Sequence, residues 1–134
     1  MYAVRFTGGD PAKRVAEAIA SAAGVTAEPL EHPLSEPAEL LFAGCRDGLM
    51  TPELEHFLST LDPALIQSVA LFQVAALPVS CWQGAAGILA DRGIRMRQEE
   101  FSCRRELLFV NRGHPDRRDL SAAKEWARKI LKKQ

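Results

Sequence analysis

The 134-residue chain, with 47% hydrophobic and 25% charged residues, has the size and composition of a single folded domain. A chain of this kind is too apolar to be disordered and can bury a core without disulfides or a structural metal. Lysine plus arginine and aspartate plus glutamate both number 17, and the resulting net charge of zero argues against nucleic acid as a partner. No apolar run approaches membrane-spanning length and no leader peptide is recognisable, so we expect a cytoplasmic protein without membrane contact.

The chain begins with a strand, a glycine turn and a helix. The apolar run at 2–6 predicts a short strand, and the glycines after it allow a sharp turn. Asp10 is expected to cap the first helix, with Pro11 in its first turn and Gly24 closing it.

The next segment, 25–39, contains three prolines. They exclude a long helix and leave a short edge strand near 26–29. A buried strand is predicted at 40–43, followed by a loop at 44–48. The next helix begins at Thr51, where a cap, a proline and an acid follow in order.

The second half continues this alternation. The nearly continuous apolar run at 69–74 predicts a central strand covered on both faces. Ser80 and Gln83 form a capping box for a third helix that Gly93 closes. The segment 94–101 alternates imperfectly and is taken as the fifth strand.

A further strand-like run is predicted at 107–110, and the last helix packs through apolar residues between 120 and 131. Strands that alternate with helices at this spacing favour parallel pairing with right-handed crossovers, which is a doubly wound α/β fold. The predicted core consists of Val4, Phe6, Leu41, Phe42, Val69, Leu71 and Phe72 in the sheet, under Ile19, Phe57, Ile88 and Ile130.

Several short sequence segments, in their order along the chain, resemble the short-chain flavodoxin-like family. They are 13–20 (KRVAEAIA), 40–44 (LLFAG), 69–72 (VALF), 100–104 (EFSCR) and 109–115 (FVNRGHP). The resemblance implies a three-layer domain with a five-stranded parallel sheet in the order 2-1-3-4-5. It also implies a ligand site beyond the carboxyl ends of the strands, where the strand order reverses.

In the family, the loops at this edge hold flavin mononucleotide (FMN), which carries electrons. By resemblance, the FMN-binding positions of this chain are Thr7, Gly8, Gly9, Asp10, Ala12, Cys45, Arg46 and Trp82. The family's phosphate loop resembles S-x-T-G-N-T, whereas 7–12 offers one hydroxyl, lacks one N–H donor at Pro11 and carries a carboxylate at Asp10. The loop at 44–48 contains no aromatic residue for the flavin ring, which leaves Trp82 as the candidate.

No motif for catalysis or metal binding accompanies these loops. The sequence has no GxSxG, HExxH or P-loop motif, and its three histidines pair with no nucleophile. Cys45, Cys81 and Cys103 follow predicted strands, so they are expected as free thiols on the carboxyl side of the sheet, without a metal. An acidic pair for a magnesium-dependent receiver is missing after the first strand.

Two hypotheses follow from the sequence. The first is a flavodoxin-like domain whose FMN phosphate site is degraded, leaving a weakly binding or non-flavin interaction module with a redox or other protein partner. The second is a working FMN electron carrier that holds its cofactor through backbone contacts. Under either hypothesis the protein catalyses no reaction of its own, and at most it carries electrons on FMN. The fold alone does not choose between the two hypotheses.

Overall fold

A parallel β-sheet forms the middle layer of the protein. The computed structural model describes residues 1–48, 50–77, 82–108 and 110–133, with the backbone alone at 82 and 83. The strands are β1 (Tyr2–Phe6), β2 (Ala27–Pro29), β3 (Leu40–Arg46), β4 (Ser68–Ala75), β5 (Arg95–Met96) and β6 (Phe101–Arg104). The helices are α1 (Gly9–Ala23), α2 (Pro52–Ser59), α3 (Trp82–Asp91) and α4 (Arg117–Lys132).

The strand order confirms the doubly wound prediction. Neighbouring strands run β2-β1-β3-β4, and both β5 and β6 pair with β4 on its other side. Every one of these pairings is parallel. Because β5 pairs with the first residues of β4 and β6 with the last, the fifth position of the predicted 2-1-3-4-5 order is filled by two short segments.

Helices cover both faces of the sheet, as the apolar character of the central strands predicts. One core lies between the sheet and α1 with α4, and it contains Val4, Phe6, Ile19, Phe42, Phe72 and Ile130. The other lies between the sheet and α2 with α3, and it contains Leu41, Val69 and Leu71. The predicted core is therefore confirmed, with Phe57 and Ile88 packing against it as half-buried residues.

The helix ends confirm two of the predicted signals and correct a third. Gly24 takes a left-handed conformation at the end of α1, and the Thr51 side chain accepts from the Leu54 N–H at the start of α2. The prediction that Asp10 caps α1 is wrong. The cap position belongs to Gly8, which has a φ of 114°, and Asp10 lies inside the first turn. Ser80 of the predicted capping box lies outside the described residues.

Two predicted strand boundaries are also corrected. The strand predicted at 40–43 continues to Arg46, because its backbone keeps pairing with both β1 and β4. The further strand predicted at 107–110 is wrong, since Leu107 and Val110 instead bond to each other across a tight turn. The open edge of β4 is already taken by β6, so the run at 107–110 has no strand to join.

No described helix has the length and apolar character needed to span a membrane.

Gly44 of β3 lies close against the Phe72 ring of β4. A Cβ built on Gly44 would lie 2.2 Å from carbon atoms of the fully buried Phe72 ring. We expect Gly44→Ala to lower the free energy of unfolding by about 1–3 kcal/mol, because the ring has no space into which to move.

Gly87→Ala is the matched control, because nothing lies within 4 Å of a Cβ at this α3 position. There we expect a gain of up to about 1 kcal/mol from helix propensity. Urea unfolding of the two variants measures both effects. Equal stability of the two variants would contradict the packing argument.

Candidate functional site

The loops after β1 and β3 meet at the carboxyl edge of the sheet. A pocket of about 230 Å³ lies between them, lined by Thr7, Gly8, Gly9, Arg46, Thr51 and Glu53. Gly8 is required for this approach, because a Cβ at its position would lie 2.8 Å from Cβ of Arg46. The structure thus brings together four residues predicted from the sequence, Thr7, Gly8, Gly9 and Arg46, where the strand order reverses.

The charges around this pocket have both signs. The side chain of Arg46 is half exposed and could attract an anion. Glu53 lines the same pocket, and Asp10 is exposed in the first turn of α1. The N-terminus of α1 attracts anions in general, but both carboxylates oppose one here.

The structure places the other predicted site residues differently. Ala12 is fully buried in the core under α1, and Cys45 is buried in the core under α2 and α3. Neither side chain reaches the pocket surface. Trp82 begins α3, and its side chain lies outside the described part of the chain. The loop before it, including Cys81, is also outside the described residues.

Asp47 connects the loops of this edge, and sequence reasoning missed it. Its Oδ1 accepts from the Ala76 N–H at 2.9 Å, and both carboxylate oxygens accept from Arg105 Nε at 3.0 Å. Nearby, the Gly48 N–H donates to Oε1 of Gln73 at 2.7 Å. The hydrogen bonds from Arg105 hold the pKa of Asp47 below its usual range.

A visible signal for Asp47 was present in the sequence. An Asp-Gly pair directly after a buried strand indicates a tight turn, and Asp47 has the left-handed conformation (φ 56°) that aspartate tolerates. Its partner Arg105 lies 58 residues further along the chain. No local pattern could predict that pairing.

Apolar side chains are exposed beside these connected loops. Nδ2 of Asn111 donates to the Ala76 carbonyl at 2.9 Å, which holds the loop after β6 against the loop after β4. Leu77 of the first of these loops is 64% exposed, and Leu108 of the second is 82% exposed. Leu108 also has a positive φ of 54°, a conformation that leucine rarely adopts.

A cluster of His114, Asp116 and Asp119 lies at the start of α4. Nδ1 of His114 is 2.6 Å from Oδ2 of Asp119, and the two carboxylates form a capping box with backbone N–H groups. Although a histidine and two carboxylates could together hold a metal ion, one oxygen of each carboxylate already accepts hydrogen bonds in the cap. The cluster is therefore explained by the start of the helix.

The two described cysteines lie near the carboxyl ends of their strands but on opposite faces of the sheet. Cys45 belongs to the core under α2 and α3, Cys103 to the core under α1 and α4, and neither is in a disulfide. Burial, with the charges of Asp119 and Asp116, raises the pKa of Cys103 to about 12. A thiol of this kind is not a nucleophile at neutral pH. Both cysteines lie within strands, where sequence reasoning had placed them after strand ends.

Comparison with known proteins identifies the class of fold. No protein-family model matches the sequence, and no curated protein sequence matches it. A solved flavodoxin from the domain Archaea matches over 99% of this chain and 98% of its own, with a TM-score of 0.67 and 16% identity. The flavodoxin of Streptococcus pneumonia TIGR4 matches over 99% and 98%, with a TM-score of 0.61 and 9% identity.

The same fold occurs inside a longer protein. The flavodiiron core Flv1 from Synechocystis sp. PCC6803 matches 98% of this chain with a TM-score of 0.67 and 14% identity, and the match spans 36% of Flv1. Together these similarities define a flavodoxin-like α/β fold. This chain has that fold, as its resemblance to the family implied.

Replacing Asp47 with asparagine tests the connection between the loops. Asparagine tolerates a positive φ, so Asp47→Asn removes the charge with little change of backbone. We expect the free energy of unfolding to fall by about 1–2 kcal/mol at pH 7.

The pH dependence of this loss follows from the lowered pKa of Asp47. A group whose pKa is depressed by folding contributes stability above its unfolded pKa, and the contribution is lost as the pH falls through the folded pKa. The difference between wild type and Asp47→Asn should therefore be full at neutral pH and shrink below about pH 4. Denaturant unfolding across this range measures it. In an Arg105→Gln background the same substitution should cost less, and an equal cost would contradict the pairing.

Proposed function

We propose that this chain is a flavodoxin-like binding module that works through protein contacts at its carboxyl edge and binds FMN weakly or not at all. The observation that carries the proposal is the direct bonding of the loops after β3, β4 and β6 through Asp47. In flavodoxin-like proteins this edge is where a ligand lies. Here protein groups already connect the loops on either side of it.

A flat ring that enters where Asp47 after β3 contacts Ala76 after β4 has to separate these two residues. That movement would break the Asp47 bond to Ala76 and disturb the Asp47–Arg105 pair. Arg105 is largely buried, so the loss of its carboxylate would leave a poorly solvated charge. This cost opposes binding of the flavin ring.

The phosphate end of the site also fits FMN poorly. Pro11 supplies no N–H group in the first turn of α1, and Glu53 and Asp10 add negative charge around the pocket. The Thr51 hydroxyl accepts from the Leu54 N–H as a helix cap, and its O–H group remains able to donate. One N–H donor is therefore missing from the first turn of α1, and negative charge around the pocket opposes the phosphate.

The exposed apolar residues of the same edge support a protein partner. Leu77 and Leu108 are largely exposed, and Leu107 and Val110 are each more than 40% exposed. Exposed apolar side chains that gather in one place mark interaction sites more often than chance. The strained φ of Leu108 also supports a protein partner at this edge, because backbone strain of this kind is retained where it serves a function.

The alternative function is an FMN electron carrier. Arg46 and the two glycines after Thr7 favour it, because they place one cation and a helix N-terminus at the phosphate end of the pocket. These groups would hold the phosphate, and FMN, when bound, would supply the redox chemistry. The flavodoxin neighbours share the fold with this chain, which leaves binding to be measured.

Titration with FMN separates the two functions. We expect purified protein to be colourless and FMN fluorescence to show no saturable quenching at micromolar concentrations, because two carboxylates and the hydrogen bonds of Asp47 to Ala76 and Arg105 oppose the cofactor. A yellow preparation or tight quenching would establish the electron carrier instead.

A variant identifies the cause of weak binding. Asp10→Asn combined with Glu53→Gln removes two charges near the pocket, and should strengthen FMN binding several-fold. Glu17→Gln with Asp91→Asn makes the same change of net charge at exposed positions elsewhere. A similar gain in this control would show that only the overall charge matters. Ala12 is left unchanged because it is fully buried.

Leu108→Asn tests the apolar edge. Asparagine adopts a positive φ more readily than leucine, so we expect the free energy of unfolding to rise by about 1 kcal/mol. A native leucine that destabilises the fold supports a role in binding. Leu107 is the control, because it is also exposed but has no positive φ, and Leu107→Asn should bring no such gain. Thermal unfolding measures both, and a loss of stability in Leu108→Asn would show that Leu108 supports the fold.

A further inference from the structure

The connection from β2 to β3 contains no helix, although a parallel crossover usually uses one. Residues 30–39 instead run as an irregular segment across the face of the sheet that α2 and α3 cover. Between this segment and α2 lies a pocket of about 550 Å³, which is a volume typical of small-molecule sites. It lies where a crossover helix would otherwise pack.

Both walls of this pocket are fixed by hydrogen bonds. Arg5 donates from Nε to the His32 carbonyl and from Nη2 to the Pro33 carbonyl, which holds the irregular segment against β1. On the other side, Arg92 donates to the Leu61 carbonyl from both Nε and Nη2 at 3.1 and 2.8 Å. The pocket is therefore preformed, as small-molecule sites usually are.

The floor of the pocket is apolar and its rim is acidic. Leu30, Leu61 and Ile66 are buried beneath it, with Leu34, Phe57 and Leu65 half buried around it. Three exposed carboxylates stand on the rim, those of Glu31, Glu53 and Asp62. Among the described lining residues there is no lysine or arginine, and the basic groups are the imidazoles of His32 and His56. The guanidinium groups of Arg5 and Arg92 are bonded to wall carbonyls.

We propose that this pocket binds a small amphiphilic cation, with an apolar body against Leu34 and Phe57 and a positively charged head among the rim carboxylates. The apolar floor gives affinity to a hydrocarbon body of any charge. The rim decides the sign of the head, because three carboxylates attract a cation and repel an anion. This site shares Glu53 with the carboxyl-edge pocket and is otherwise lined by different residues, and the proposal holds whether or not FMN binds there.

The test uses octyltrimethylammonium and octanoate, which share a hydrocarbon chain and differ in the sign of the head. Titrations followed by amide NMR shifts should show saturable binding of the cation, with shifts at 30–34 and in α2. The affinity for octanoate should be roughly tenfold weaker. Tetramethylammonium, the head alone, should bind far more weakly because it has no apolar body.

Two variants locate the site. Glu31→Gln, Glu53→Gln and Asp62→Asn together should weaken cation binding roughly tenfold and remove the preference over octanoate. The matched control is Glu17→Gln, Asp91→Asn and Glu125→Gln, three exposed acids outside the pocket, which should leave both affinities unchanged. Leu34→Trp should fill the pocket and weaken binding of both ligands, with thermal unfolding as the check of folding.

Three results on affinity would overturn the proposal. These are the absence of saturable binding to wild type, equal affinity for cation and anion, and equal loss of binding in the control triple variant. Shifts confined to α1 and α4, on the other face of the sheet, would overturn it as well.

Discussion

Every residue of β4 is buried, and so is every residue of β3 except Arg46. Strands buried on both faces need a layer of structure on each side, which explains why α1 and α4 pack on one face and α2 and α3 on the other. The contact between Phe72 and the backbone of Gly44 belongs to this arrangement. The layer formed by α2 and α3 is interrupted along the β2–β3 crossover. Prolines prevent a helix there, and a pocket lies in its place.

At the carboxyl edge, the same parallel arrangement brings several loops to one place, and the chain uses that proximity to bond them together. Asp47 accepts hydrogen bonds from groups that follow β4 and β6, so three loops depend on one carboxylate. Parallel sheets of this kind usually leave a crevice at this edge. A bonded edge with exposed leucines suits a surface that meets another protein better than a cleft that encloses a ring.

The sequence predicted the fold well because its strongest signals are local. Apolar runs marked β1, β3 and β4, and Gly24 and Thr51 marked helix ends, all of which the structure confirms. The errors arose where local chemistry allowed more than one outcome. Asp10 is a good capping residue, but Gly8 takes the cap because its left-handed conformation lets the chain pass close to Arg46.

The site was less predictable, because its decisive contacts join distant parts of the chain. Thr7, Gly8, Gly9 and Arg46 do meet at one pocket, as the loop positions suggested. The pairing of Asp47 with Arg105 and the burial of Cys45 depend on how β3 lies beside β4 and β6, which no single motif encodes. Likewise, the apolar run at 107–110 has the pattern of a strand in sequence, whereas Leu107 and Val110 bond to each other and β6 occupies the position beside β4.

The strands at the two edges of the sheet are poor templates for the pairing of further strands. On one side β2 has only three residues and ends at Pro29, which has no N–H group to donate to a neighbour. At the other edge the fifth position is divided between β5 and β6, and neither segment offers a long straight row of backbone donors and acceptors. Edges of this form discourage the strand-by-strand stacking that leads to aggregation. A domain protected in this way can expose leucines at the carboxyl edge of its sheet, while its edge strands do not pair with those of neighbouring copies.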